Sequence, residues 1–345
     1  LPAAVNSISQ CVDMENVADS FTSTGASSIV VPGSLVECAQ PVVLRNFISS
    51  WPVVSAALQS DRALCDYLQP FFTDHPLVVY SGVDQQEEKI GYRDDFTGFT
   101  FNRGNDLLHN VIHKLLQGSE RTLYIGSSRV DRWLPGFRAN NDLRFTDVRP
   151  VINFWLGNQN TVAAHYDSPH NIACCVAGRR TFTLFPPDQI GNLYIGPVDL
   201  TPSGRPISLV DFLHPNFEKF PKFKDALAAA QVFNLEPGDA LYIPPLWWHH
   251  VQSHAPLNML VNYWWRQTPE YMGVPDLALE HAILALRGLP ESERQAWKAM
   301  FDHYVFQDST VASAHIPEAF RGMLNSNDEN ASRLGWLNFS KKMKL

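Results

Sequence analysis

From Val151 to Trp265 the chain is cut into short β-type runs by Pro, Gly and Asn, and that texture points to a sandwich or barrel. The runs are Val151–Leu156, Ile172–Ala177, Thr181–Phe185, Ala240–Ile243, His249–Ser253 and Leu257–Trp265. The preceding segment is mixed. Ser28–Val31, Pro41–Leu44, Leu77–Tyr80 and Leu123–Ile125 read as strands, and Ser60–Leu68 reads as a helix. Asn105–Leu116 carries Leu107, Leu108, Val111, Ile112, Leu115 and Leu116 on a helical period and closes at Gly118, whereas Tyr92–Arg103 reads as a polar, turn-rich excursion. Beyond Pro269 the pattern turns helical, with Asp276–Leu286, a second helix opened by Pro290, and a third from about Asp328 to Phe339 ending in Lys341, Lys342 and Lys344. Ala296, Trp297, Met300, Phe301, Tyr304 and Val305 form one apolar stripe on the second helix. The expected division is a β domain over 1–268 with its core at 123–265, then a helical region over 269–345 suited to dimerisation.

The chain has 345 residues, 45% hydrophobic and 18% charged, with 9 Trp and 21 Phe, enough apolar material for a large core. Its net charge of −8 and pI near 5.8 argue against a broad nucleic-acid surface or an anionic-membrane surface. Cys11, Cys38, Cys65, Cys174 and Cys175 are an odd, scattered set with no C-x-x-C pair, which suits reduced thiols in a cytoplasmic protein. No basic stretch leads into an apolar run at the start, and no run of about 18 apolar residues occurs.

Chemistry concentrates in two places. In Ala164-His165-Tyr166-Asp167, residues two apart on a strand share a face, so His165 and Asp167 can aim at one point. An imidazole and a carboxylate so placed supply two ligands of a facial triad whose other positions stay open. Gly238–Val251 reads as strand, turn, strand and presents His249 and His250 at a strand start. Alternation groups His249 with Val251 and His250 with Gln252, so an apolar interior face selects His249 as the third ligand and leaves His250 behind it or at the surface.

His165-Tyr166-Asp167, then Gly178-Arg179-Arg180-Thr181-Phe182-Thr183-Leu184-Phe185-Pro186-Pro187, then Gly238–Val251 resemble the cupin-like JmjC oxygenases, including their asparaginyl-hydroxylase branch. The resemblance spans about 123–265 and is loose outside it. It implies a double-stranded β-helix, or jelly roll, holding Fe(II) by His165, Asp167 and His249. It also implies 2-oxoglutarate as cosubstrate with O2, decarboxylation to succinate and CO2, and hydroxylation of a C–H bond.

The far carboxylate of that cosubstrate needs a buried cation. Arg180 shares an apolar strand face with Phe182 and Leu184, and a buried guanidinium requires an anion. The family's hydroxylases carry lysine there, so the geometry of the clamp differs. Tyr124 matches a tyrosine that donates to the same carboxylate, and Asn171 and Asn262 match asparagines lining the cosubstrate site. Where the family has threonine, three residues before the first ligand, this chain has Val162. Either Thr161 substitutes through a strand shift, or that hydrogen bond is missing. Trp264, two residues after Asn262 on the same face, is expected to flank the iron pocket, while Trp133, Trp155, Trp247, Trp248 and Trp265 read mainly as core.

The resemblance thus favours a hydroxylase of a protein, peptide or small-molecule substrate. N-methyl demethylation by the same centre, a metal-binding cupin without oxygenase activity, and an inactive scaffold are the competing readings. Arg129–Asn141 and Leu193–Pro206 are long and turn-rich enough to be substrate lids.

Overall fold

The computed structural model describes residues 29–31, 35, 39–83, 89–93, 95–146, 148–202, 204–308, 310–325 and 328–342. Cys11, Ser28, Cys38 and Lys344, named above, lie outside them. The chain divides into two compact units, residues 1–266 and 267–345.

The first unit is a mostly antiparallel jelly roll with flanking helices. Its strands are β1 (Ile29–Val30), β2 (Val42–Leu44), β3 (Leu77–Gly82), β4 (Lys89–Ile90), β5 (Phe101–Asp106), β6 (Leu123–Arg129), β7 (Leu143–Arg144) and β8 (Val151–Gly157). They continue with β9 (Asn160–Tyr166), β10 (His170–Ala177), β11 (Arg180–Phe185), β12 (Gln231–Leu235), β13 (Ala240–Ile243), β14 (Trp248–Ser253) and β15 (Asn258–Trp265). The major sheet has the order β2-β13-β10-β15-β8-β6-β3-β5, and the minor sheet β12-β11-β14-β9-β4.

Three apolar layers hold the sheets in place. Behind the major sheet lie α1 (Pro52–Gln59), α2 (Asp61–Leu68) and α3 (Leu108–Leu116). Leu108, Val111, Ile112 and Leu115 of α3 occupy one helical face and are buried with Ile172, Cys174, Val261 and Tyr263 of the sheet. Each such side chain contributes about 1.5–3 kcal/mol. Ser60 caps α2 by accepting from the Ala63 N–H. Between the sheets sits a second layer, including Ala173, Cys175, Phe182, Leu184, Leu241, Ile243, Val251 and Leu260. A third covers the outer face of the minor sheet, where Phe185, Trp248 and Ala164 meet Leu193, Phe212 and Phe223 from the long β11–β12 connection.

Turn chemistry fixes the strands that carry the site. Gly178 links β10 of one sheet to β11 of the other at φ 72°, and a Cβ there would lie 2.1 Å from Asn258 Oδ1. The corner therefore requires glycine, and it sets the start of the strand that bears Arg180. In Gly238-Asp239 the buried Asp239 carboxylate accepts from Arg45 Nη1 at 2.6 Å, and from the backbone N–H groups of Asn46 and Glu236. That cluster locks β13 to the β2 edge.

Several local expectations are revised. Tyr92–Arg103 ends in β5, whose exposed Asn102, Arg103 and Gly104 hide the strand because β3 supplies its pairing. The helix expected from Asn105 begins at Leu108, since Asn105 and Asp106 complete β5. The edge strand β12 was not anticipated. Arg129–Asn141 is not a lid: Val130, Leu134 and Phe137 are buried in the layer behind the major sheet, and Asn141 caps the Val53 N–H at 3.0 Å.

The second unit contains α6 (Pro275–Leu286), α7 (Glu291–Phe301) and α8 (Glu329–Lys342), numbered after α4 (Val130–Trp133) and α5 (Phe223–Ala228) of the first. Within it Trp336 Nε1 donates to Tyr271 O at 2.9 Å. None of α6, α7 and α8 buries a residue fully, and the stripe expected on the second helix stands in the open, with Trp297, Met300, Tyr304 and Val305 exposed.

Candidate metal centre

Neighbouring strands of the minor sheet deliver the three ligands. His249 on β14 lies directly opposite His165 on β9, and Asp167 follows β9 by one residue. One ligand atom from each of His165, Asp167 and His249 falls within 4.8 Å of the others, which is the one such cluster among the described residues. His249 Nε2 is 3.6 Å from Asp167 Oδ2, and the two imidazole centroids are 4.3 Å apart. The turn before His249 places Leu246 at φ 65°, a conformation non-glycine residues rarely hold, and its N–H donates to Asp167 O at 2.8 Å. Strain in the turn between β13 and β14 is thus tied to the backbone of the ligand Asp167, just past the end of β9.

Backbone carbonyls set the tautomers. His165 Nδ1 is 3.0 Å from Ala163 O, and His249 Nδ1 is 3.0 Å from Trp247 O. A carbonyl only accepts, so both Nδ1 atoms carry the hydrogen and both Nε2 lone pairs face the centre. Burial, then the charge of His249, pushes His165 down to about 4, so its imidazole is neutral and ready to ligate at neutral pH.

The register between β9 and β14 slips by one residue between the pairs His249–His165 and Val251–Val162. This bulge on β9 explains the Thr161 question. Val162 packs with Tyr124 and Trp155 on the interior side, so strand alternation turns Thr161 to the other face, opposite Gln252 and beside Lys89. The interior wall there is apolar. Alternation also separates the two adjacent histidines. His250 is buried rather than superficial, stacked on Phe212 at 4.5 Å under the β11–β12 connection, and burial holds it down at about 3.

A chain of donors converges on Asp167. Trp155 Nε1 donates to Asn262 Oδ1 at 2.9 Å, Asn262 Nδ2 to Asn171 Oδ1 at 3.2 Å, and Asn171 Nδ2 to Asp167 Oδ2 at 3.2 Å. Trp264 Nε1 reaches the same oxygen at 3.1 Å. Trp264, Asn262 and Asn171 are therefore linked to a ligand carboxylate. Trp155, which composition assigned to the core, extends that network. Asn153, two residues before it on the same face of β8, was the one polar neighbour available as a signal.

The interior face of the minor sheet is layered by register. Leu184, His249 and His165 form one row, Phe182, Val251 and Val162 the next, and Arg180, Ser253 and Asn160 the third. The third row stands four residues, or about 13 Å of strand, from the first at the backbone, and the long Arg180 side chain spans part of that gap. Arg180 is 4% exposed, and its Nε and Nη2 have no hydrogen-bond partner. Ser253 Oγ and Asn160 Oδ1 are unpartnered as well. Burial lowers the Arg180 pKa and raises that of the Tyr124 hydroxyl, which keeps the phenol protonated and able to donate. The orphaned guanidinium and hydroxyl donors, Arg180 Nε and Nη2 and Ser253 Oγ, fit an anion, whereas Asn160 Oδ1 is an acceptor and calls for a donor instead.

One further residue, Arg205, escaped the sequence. From Leu193–Pro206, Arg205 Nη2 bonds Ser168 Oγ at 3.0 Å, and its guanidinium lies 5.4 Å from the Tyr166 ring. Its charge also opposes protonation of His165. A loop cation beside the ligand strand has no periodic signature to reveal it.

The two lowered histidines make stability pH-dependent. Unfolded imidazoles titrate near 6.5. Below that, down to the folded values of about 3 and 4, the unfolded chain binds more protons, so stability is complete above pH ~6.5 and falls on acidification. For His250 alone the loss from pH 7 to 5 is about 2 kcal/mol. Urea unfolding of metal-free protein at both pH values measures it, and His250→Gln should lose ~2 kcal/mol less across the interval. An equal loss in the variant would contradict the neutral assignment.

The chain matches the family described as a cupin-like domain over residues 31–271. It is 30% identical over 241 residues to Jumonji C domain-containing protein 5 of Drosophila melanogaster, which covers 66% of this chain and 55% of that protein. Identity with JmjC domain-containing protein D of Dictyostelium discoideum is 41% over 228 residues, 62% of this chain and 49% of that protein. With Lysine-specific demethylase 8 of Xenopus tropicalis it is 24% over 232 residues, 66% of this chain and 48% of that protein. The chain spans about half the length of these curated relatives.

Proposed function

The chain belongs to the cupin-like JmjC family, and from that premise we propose that it is an Fe(II)- and 2-oxoglutarate-dependent dioxygenase that hydroxylates a protein side chain or another polar substrate. One observation carries the reading: a buried guanidinium without an anion lies between the same sheets as a His-Asp-His cluster with open coordination positions. A cupin that only bound metal would have no use for it.

His165, Asp167 and His249 would hold the iron. Arg180, with the Tyr124 hydroxyl, would hold the far carboxylate of 2-oxoglutarate. The bound pair supplies oxidative decarboxylation to succinate and CO2, coupled through O2 to insertion of oxygen into a C–H bond. The protein contributes orientation. Asn171 and Trp264 fix the Asp167 carboxylate, and Asn262 fixes Asn171. The apolar row of Phe182, Val251 and Val162 excludes water from the middle of the cosubstrate site. Anaerobic addition of 2-oxoglutarate to the Fe(II) protein should produce a visible metal-to-ligand charge-transfer band. A colourless complex with 2-oxoglutarate bound would mean that the cosubstrate does not reach the metal, and would reject the assignment.

Demethylation is the second reading, favoured by the likeness to a protein named as a lysine-specific demethylase. Against it stands Arg205, a cation beside the ligand strand that would repel a methylated ammonium group.

Two features beyond the centre belong to the same reading. Among the described residues Cys65, Cys174 and Cys175 are unbridged and buried, which suits the reducing cytoplasm, and no described helix is long and apolar enough to cross a membrane. The exposed apolar side chains of the helical unit suit pairing with a second copy. Light scattering should then give twice 38.8 kDa, and a monomer at micromolar concentration would refute pairing.

A further inference from the structure

A cavity lies on the outer side of β9. Its volume is about 80 Å³, several times the ~10–15 Å³ that one water needs. Lys89, Arg93 and Lys219 line it together with Tyr92, Phe96 and Phe220, and no described side chain lining it is acidic. In a chain of net charge −8, three cations around one small cavity are a local reversal of sign.

The cavity follows from the fold. The β9 bulge turns Ala163 outward, where it packs with Tyr92 and Ile207 as an apolar floor. Ser208, on the wall, donates its N–H to Ala164 O at 2.8 Å, directly before the ligand His165. Arg93 uses Nε on Phe99 O at 3.1 Å, and neither Arg93 nor Lys219 has a carboxylate within ion-pair distance among the described residues. Phe96 forms the rim at φ 58° and is 46% exposed, held in that left-handed conformation by a turn whose ends are tied by the Arg93 N–H to Gly98 O. Non-glycine residues held at positive φ cluster at active sites and ligand clamps. The segment from Arg205 to Leu209 runs from the ligand strand to this cavity, and three residues of chain reach at most about 10 Å.

We propose that the Lys89–Arg93–Lys219 cavity is an anion subsite that takes a phosphate group of the substrate, with Arg205 marking the path to the metal. The role given to the bound group rests on the oxygenase reading; its binding does not. A tetrahedral anion suits a small cavity lined by two lysines and an arginine, and the Phe96 rim suits an apolar or aromatic moiety joined to it.

The test is titration of the full chain with inorganic phosphate, followed by calorimetry and 31P line broadening. Wild type should bind saturably. The exposed double variant Arg93→Ala/Lys219→Ala should weaken binding at least ~10-fold while leaving uncoupled conversion of 2-oxoglutarate to succinate unchanged. Arg180→Met should retain phosphate binding. No saturable binding in wild type would overturn the subsite. Binding unchanged in the double variant, or lost only in Arg180→Met, would overturn it equally, by placing the anion elsewhere. Because succinate formation is read separately, failure of the subsite leaves the oxygenase reading intact, and the converse also holds.

Discussion

Arg180→Met is expected to weaken 2-oxoglutarate binding by more than ~10-fold and, at the same time, to raise the melting temperature of the unliganded protein. The two effects share a cause. Arg180 is almost wholly buried, and its Nε and Nη2 lack partners, so the fold carries a desolvated charge with no compensating anion. Replacing such a charge by an apolar side chain of similar length typically stabilises by about 1–4 kcal/mol. The cosubstrate loses a charge-assisted contact worth about 1.5–3 kcal/mol per bond, so affinity should fall by more than ~10-fold for one bond and further for two. Thermal denaturation and calorimetry with 2-oxoglutarate read the two sides. Arg180→Lys, which restores a cation with a different head, should recover part of the affinity. If Arg180→Met melted lower and bound the cosubstrate normally, Arg180 would be an ordinary structural residue.

Asp167→Ala should remove metal binding and cosubstrate turnover together. The carboxylate is the one anionic ligand, and it is also the acceptor for Asn171 Nδ2 and Trp264 Nε1, so its loss strands two donors in a largely buried site. Asn171→Ala removes only one of those supports, and its expected loss in metal affinity is about 10–100-fold, the range for residues that orient a ligand. Asp167→Ala should exceed it clearly. Mn(II) binding followed by electron paramagnetic resonance ranks the three proteins without requiring turnover. Equal metal affinity in wild type and Asp167→Ala would remove Asp167 from the ligand set.

The sequence made legible what period-two alternation controls. His165 with Asp167, His249 rather than His250 towards the interior, and Arg180 on the face of Phe182 and Leu184 all follow from strand geometry, and the structure groups them between the sheets. The unread parts depend on departures from that period or on distant chain. The β9 bulge decides that Val162, not Thr161, meets Tyr124, and one extra residue in a strand leaves no mark on its apolar pattern. The edge strand β5 is polar because its partner β3 supplies the hydrogen bonds, so its residues resemble a loop. Trp155 takes its part in the Asn262 network through pairing of β15 with β8, and Arg205 reaches Ser168 across 37 residues of chain. Arg129–Asn141 shows the opposite error. A long, turn-rich stretch suggested a substrate lid, yet Phe137 and Leu134 anchor it in the core.

The most direct measurement of the central claim is succinate formation from 2-oxoglutarate under air, by purified protein with and without Fe(II), beside His249→Ala. Iron-dependent succinate in wild type and none in the variant is the expected result. Absence of both succinate and 2-oxoglutarate binding in iron-loaded wild type would contradict it, and would leave a metal-binding cupin in place of an oxygenase.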